Sequence, residues 1–110
     1  MAIIFYDFPM APSPRRARIL LAEKGIPHEV VIVDLASGEQ RGPAFTAINP
    51  RQTVPVLALE DGTMLTDNAG IAAWAEAAFP NPSLMGSTPV EKAMIASWNA
   101  RIEGEGFLAI

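Results

Sequence analysis

A helical pattern with clear signals at both ends, set between two short β-rich segments, most constrains the fold of this chain. Ser13-Pro14 reads as a helix start, a hydroxyl followed by the residue favoured at the first helical position. Ile19, Leu20 and Ala22-Glu23 carry the pattern on until Gly25 and Pro27 stop it. Ala2 to Asp7 is a short apolar strand, and Glu29 to Asp34 is a second strand rich in β-branched residues. Strands joined through a helix pair in parallel by a right-handed crossover, so this stretch predicts a βαβ unit.

The rest of the pattern extends that unit. After a proline-rich loop at Pro9 to Pro12 and the βαβ stretch, Pro43 to Ile48 forms a short helix. Pro55 to Leu59 and Thr63 to Thr66 pair as a hairpin across Asp61-Gly62. Gly70 to Phe79 is alanine-rich, with Ile71, Trp74, Ala75 and Ala78 at helical spacing. The expected fold is α/β, a βαβ-α-ββα domain with a mixed four-stranded sheet over residues 1–80.

Pro80-Asn81-Pro82-Ser83 opens a linker over 81–87. Thr88-Pro89-Val90-Glu91 is then a capping-box pattern that starts a further helix through Val90, Met94, Trp98 and Ile102. A single helix cannot bury such a stripe alone, so 88–110 reads as the first helix of a truncated all-α domain. The whole reads as a fragment of a protein about twice as long.

Composition excludes several functions. A net charge of −4 with no basic run argues against a nucleic-acid partner; Arg15, Arg16 and Arg18 are a helix face with one arginine turned inward. No apolar run reaches the ~20 residues that span a bilayer, and the start lacks a signal-peptide pattern, so no membrane association and a cytoplasmic location are expected. With zero cysteines the chain has no thiolate of its own, so any redox chemistry must use a substrate's sulfur. One histidine, His28, cannot supply a usual metal ligand set; it is expected to begin a strand, with no metal bound.

Function is written mainly in two tracts. Asn49-Pro-Arg-Gln-Thr-Val-Pro-Val-Leu57 puts Val54-Pro55 at the mouth of a strand, where proline cannot donate to a ladder. The Val54 amide and carbonyl are then expected to face something other than protein, ready to pair with an extended peptide. In Leu65-Thr66-Asp67-Asn68 an acidic and an amide side chain meet the free amides of a helix start, a place for a zwitterionic group. Together they suit a small peptide with an amino acid head. A plain helix cap by Thr66 or Asp67 is the competing reading.

These tracts, with Ala11-Pro-Ser-Pro-Arg-Arg-Ala-Arg-Ile-Leu-Leu-Ala-Glu-Lys-Gly-Ile-Pro27 and Asp34 to Pro50, resemble the cytosolic glutathione transferases, and most nearly their theta-like bacterial and fungal branch. The resemblance implies a thioredoxin-like domain over 1–80 followed by the opening of the family's helical domain. It also implies glutathione as cosubstrate, a small hydrophobic electrophile as second substrate, a detoxifying transferase activity in the cytoplasm, and a homodimer in full-length form. Glutathione-binding residues would be Gln40, Thr53, Val54, Pro55, Asp67 and Asn68. Asp67-Asn68 replaces the relatives' Glu-Ser, and Asn68 would hold a carboxylate through its amide hydrogens. Gln40 and Thr53 stand where relatives carry histidine and lysine, so the site loses positive charge there.

A thiol with a pKa near ~8.5 is only a few percent ionised at neutral pH, and lowering it by about one to two units takes roughly 1.4 to 2.7 kcal/mol of preferential interaction with the anion. In theta-like and zeta-like relatives a serine at the first helix contributes. Counting from Arg16-Ala17-Arg18 places Ala11 at that position and leaves Ser13 as the candidate catalytic residue. Either the loop shifts and Ser13 donates to the thiolate, or Ser13 caps the helix while backbone amides and a water hold the sulfur. A noncatalytic glutathione-binding or assembly module is the alternative to an enzyme. The fragment alone is expected to be inactive.

Overall fold

Two apolar layers lie on opposite faces of one sheet, and the alternation of side chains along β1 explains both. The computed structural model describes residues 2–103. The elements are β1 (Ile4–Asp7), α1 (Ser13–Glu23), β2 (Glu29–Ile32), a 3-10 turn at Glu39–Arg41, α2 (Pro43–Ile48), β3 (Val56–Ala58), β4 (Met64–Leu65), α3 (Asn68–Ala78) and α4 (Pro89–Arg101). Sheet order is β2-β1-β3-β4, with β1 parallel to β2 and the other two pairs antiparallel. This is the expected mixed sheet.

Ile3 and Phe5 point to the face covered by α1 and α3, where they join Ala17, Leu21, Ile26, Leu57, Ile71 and Ala75 in one buried cluster. Tyr6 points the other way and packs with Val33, Phe45, Val54 and Val56 under α2. In α1 the residues Pro14, Ala17 and Leu21 are buried at helical spacing, and the helix closes on Gly25 at φ +63°, where glycine carries no Cβ penalty. His28 lies one residue before β2 and does not begin it; its role is structural, with Nδ1 2.8 Å from the Ile26 carbonyl and its ring edge-on to Phe5.

Several boundaries differ from the sequence reading. β1 begins at Ile4, and β2 ends at Ile32 because Asp34 turns the chain by accepting the Ala36 and Ser37 amides. β2 is exposed along its whole length, an edge strand whose β-branched residues cover no core. The hairpin strands are confined to Val56–Ala58 and Met64–Leu65. α3 starts two residues before Gly70, and Ala78 is exposed while Ile71 and Ala75 carry the buried stripe.

The helix start at Ser13 also needs correcting. Pro12 occupies the cap position with no side-chain hydrogen bond, and Ser13 is the first helical residue. By contrast, Thr88 and Glu91 form both halves of the expected capping box. Val90, Met94 and Trp98 on α4 and Ile102 at its C-cap are all exposed. Residues 104–110 of the expected second domain lie outside the described residues.

Candidate functional site

Strand direction gathers the candidate residues at one end of the sheet. β1 and β2 run parallel, so the loop leading to Ser13 and the segment leading to Gln40 leave from the same end. β3 runs against β1 in the register Tyr6 to Val56, so Val54-Pro55 enters at that end, and β4 returns to it just before Asp67-Asn68. Ligands of open α/β sheets collect outside the carboxyl ends of the parallel strands.

Asn68 ties two of these segments together. Its Nδ2 donates to the Ser13 carbonyl at 3.1 Å and to the Ser13 hydroxyl at 3.3 Å, linking the first turn of α3 to the first turn of α1. The Asn68 amide hydrogens therefore face Ser13, a different use from the carboxylate contact expected of them. Asn68 Oδ1 is buried without a partner among the described residues. Asp67 is the N-cap of α3, its Oδ1 accepting the Gly70 amide at 2.7 Å. The cap uses one carboxylate oxygen of an exposed residue, so capping leaves a second oxygen for a cation.

At α1 the supply of free donors is narrow. Pro12 and Pro14 have no N–H, the Ala11 amide donates to the Phe8 carbonyl at 2.9 Å, and the Arg15 amide turns back to Pro12 at 3.3 Å. What remains in this first turn is the amide of Ser13, together with its hydroxyl, whose oxygen accepts from Asn68 while its own hydrogen can still donate.

The Val54–Pro55 bond is cis. Val54 packs its side chain under α2, and among the described residues no loop or turn backbone bond engages its amide or carbonyl. The loop before it is organised by Asn49, which the sequence reading left without a role. Asn49 is 1% exposed; its Nδ2 donates to the Thr53 carbonyl at 2.9 Å and hydroxyl at 3.2 Å, and its Oδ1 accepts the Arg51 amide at 3.0 Å. Between them Gln52 adopts φ +60° and reaches Thr46 with its own amide. Thr53 is exposed with its oxygens turned to Asn49, and Gln40 sits in the 3-10 turn with a buried Oε1 that has no partner among the described residues.

A second buried polar residue also went unread. Asp7, 2% exposed at the end of β1, lies 3.7 Å from Arg18 Nε, the arginine of the cluster that turns inward. No group of three or more potential metal ligands occurs among the described residues, and no helix there is long and apolar enough to cross a membrane.

Helices on both faces of a β2-β1-β3-β4 sheet, with polar groups converging at the end where β1 and β2 finish, define the thioredoxin-like class. Residues 11–78 match the family model of the glutathione S-transferase N-terminal domain, and the chain belongs to that family. It is 43% identical over 105 residues to glutathione S-transferase 2 of Saccharomyces cerevisiae, spanning 94% of this chain and 45% of that protein. To the maleylacetoacetate isomerase of Pseudomonas aeruginosa it is 36% identical over 90 residues, 80% of this chain and 42% of the relative. A solved glutathione transferase homologue from Sulfitobacter with bound glutathione superposes with a TM-score of 0.86 at 30% identity, over 93% of this chain and 49% of that one. The chain spans about half the length of the relatives it matches.

Proposed function

We propose that this chain carries the glutathione-binding half of a glutathione transferase that activates the thiol for attack on a small hydrophobic electrophile. The observation that carries the reading is the bridge from Asn68 to Ser13, which joins the α3 start to the α1 start; on this reading the first would take the head group and the second the thiol. The extended cysteinyl backbone would pair with Val54, whose backbone has no loop partner among the described residues. The free Asp67 oxygen suits the γ-glutamyl ammonium, and Gln40 and Thr53 would border the glycine end.

For the thiolate, the donors left in the first turn of α1 favour Ser13, through its amide and its hydroxyl, over a helix-capping serine. Two charge-assisted bonds, each about 1.5 to 3 kcal/mol, are ample for a shift of one to two pKa units. Residues 81–87 would link to a helical domain starting near Thr88, which would complete the electrophile site. A detoxifying role, a cytoplasmic location and a homodimer belong to the same reading.

Full-length protein retained on immobilised glutathione, and consuming thiol with a panel of electrophiles, tests it. Retention without any turnover would favour the second reading, a noncatalytic binding module, which the alanine at position 11 supports.

A further inference from the structure

We propose that Lys24 and Glu76 are a positioning pair that fixes the direction in which α4 leaves the α/β unit, and so the shape of the cleft between α1 and α4. The segment that connects α3 to α4 has a peculiar chemistry. Pro80 and Pro82 have no N–H and leave Asn81 as the one amide between Phe79 and Ser83, so the segment is rich in carbonyls early and in amides later. Lys24 and Glu76 are matched to that order.

Lys24 stands at the C-cap of α1 with its side chain fully buried. An ammonium has three donors, and each finds an acceptor at 2.6 Å: the Phe79 carbonyl, the Pro82 carbonyl and Glu76 Oε1. Glu76, on α3, in turn accepts the Leu84 amide at 3.2 Å and the Met85 amide at 2.9 Å. The Ser83 hydroxyl lies 3.1 Å from Glu76 Oε2 and 2.8 Å from the Gly86 carbonyl, with one proton to share between them.

No slack follows the pair. Gly86 has φ +92°, and a Cβ there would come within 2.7 Å of the Lys92 amide, so the turn closes tightly on the first turn of α4. The Thr88–Glu91 capping box begins directly after it. Leu84 and Met85 form one wall of a cleft of about 280 Å³ whose other walls include Leu20, Asn68 and Asn99. Met85 Sδ accepts from Asn99 on α4, and Arg16 on α1 pairs with Glu103 beyond its end.

A buried ion pair is a poor source of net stability, because desolvation opposes the Coulombic gain. Its contribution here is geometric: every contact converges on one short segment, and apolar side chains of similar volume would fill the space without directing it. The Lys24→Met/Glu76→Leu double variant separates these roles, since it keeps the volume and removes the contacts.

The chain has no cysteine, so Glu60→Cys and Ala96→Cys give two unique spin-label sites, both exposed, one on the α/β unit and one on α4. The expected result is a narrow distance distribution with the pair intact and a broadened one in the double variant. Amide exchange at Leu84 and Met85 should rise about tenfold or more as charge-assisted bonds are lost, while Phe5 and Leu57 stay protected. If the double variant fails to fold, Glu76→Gln, which removes the charge and turns one acceptor oxygen into a donor, should show the same exchange pattern. A distribution as narrow as the parent's, or unchanged exchange at Leu84 and Met85 in a folded variant, overturns the proposal.

Discussion

Asn68 on α3 donates both to the carbonyl and to the hydroxyl of Ser13 on α1, so the two helix starts that border the site are held as one unit. Asn68→Ala should cost about 1 kcal/mol of unfolding free energy for the lost bonds. In full-length protein it should also raise the apparent thiol pKa in the pH profile of kcat/KM, because Ser13 loses its anchor. Ser13→Ala, which keeps the amide and removes the hydroxyl, should lower turnover by about tenfold, the worth of one hydrogen bond to a charged group. No change in either profile would contradict a thiolate site at Ser13.

Asn49 holds three groups of the loop that leads to Val54. Asn49→Ala leaves the Thr53 carbonyl and the Arg51 amide short of partners, so a loss of about 2 to 3 kcal/mol in urea unfolding is expected. Glutathione affinity should fall with it, while kcat at saturating glutathione should change little. A variant of parental stability and affinity would show that the loop holds its form unaided.

Glu76 gives a pH signature. Burial alone would raise its pKa, but the bonds from Lys24, the Leu84 and Met85 amides and Ser83 outweigh burial and bring it from 4.5 to about 2. A folded-state pKa below the unfolded one means the unfolded chain binds the extra proton. The stabilisation is therefore fully present above pH 4.5 and fades as pH falls toward 2. Carbon-detected titration of the Glu76 carboxylate should find no midpoint above pH 4, and one near 4.5 would contradict the contacts.

Asp7 is a buried carboxylate 3.7 Å from the Arg18 Nε. Arg18→Met keeps most of the stem packing and leaves the charge alone, and should destabilise by about 2 to 3 kcal/mol, below the full cost of a fully buried broken pair because Arg18 is partly exposed. The paired change Asp7→Asn/Arg18→Met should recover part of that loss. Equal stability of Arg18→Met and parent in urea would rule out an energetic role for the pair.

What the sequence made legible is what short-range rules control. Pro43–Ile48, the parallel crossover and the Thr88 capping box follow from prolines, glycines and periodicity, and all three are found. Asp67 and Asn68 could be placed at a helix start, but their partners could not, since Asn68 meets Ser13 across 55 positions of chain. Ser13-Pro14 carries the local signature of a cap; the chain instead turns at Pro12 and frees the hydroxyl for Asn68. Lys24 and Asn49 were unreadable for a related reason. Lysine usually keeps its ammonium in water and Asn-Pro usually marks an exposed turn, and only tertiary acceptors reverse those expectations.

The central claim, that one end of this sheet is a glutathione site with its thiol end at Ser13, is tested most directly by a crystal structure of the full-length protein with glutathione. The account predicts the γ-glutamyl head at Asp67, the cysteinyl backbone paired with Val54, and the sulfur within about 3.5 Å of the Ser13 amide or hydroxyl. A sulfur out of reach of Ser13, or a head group away from Asp67, would contradict it.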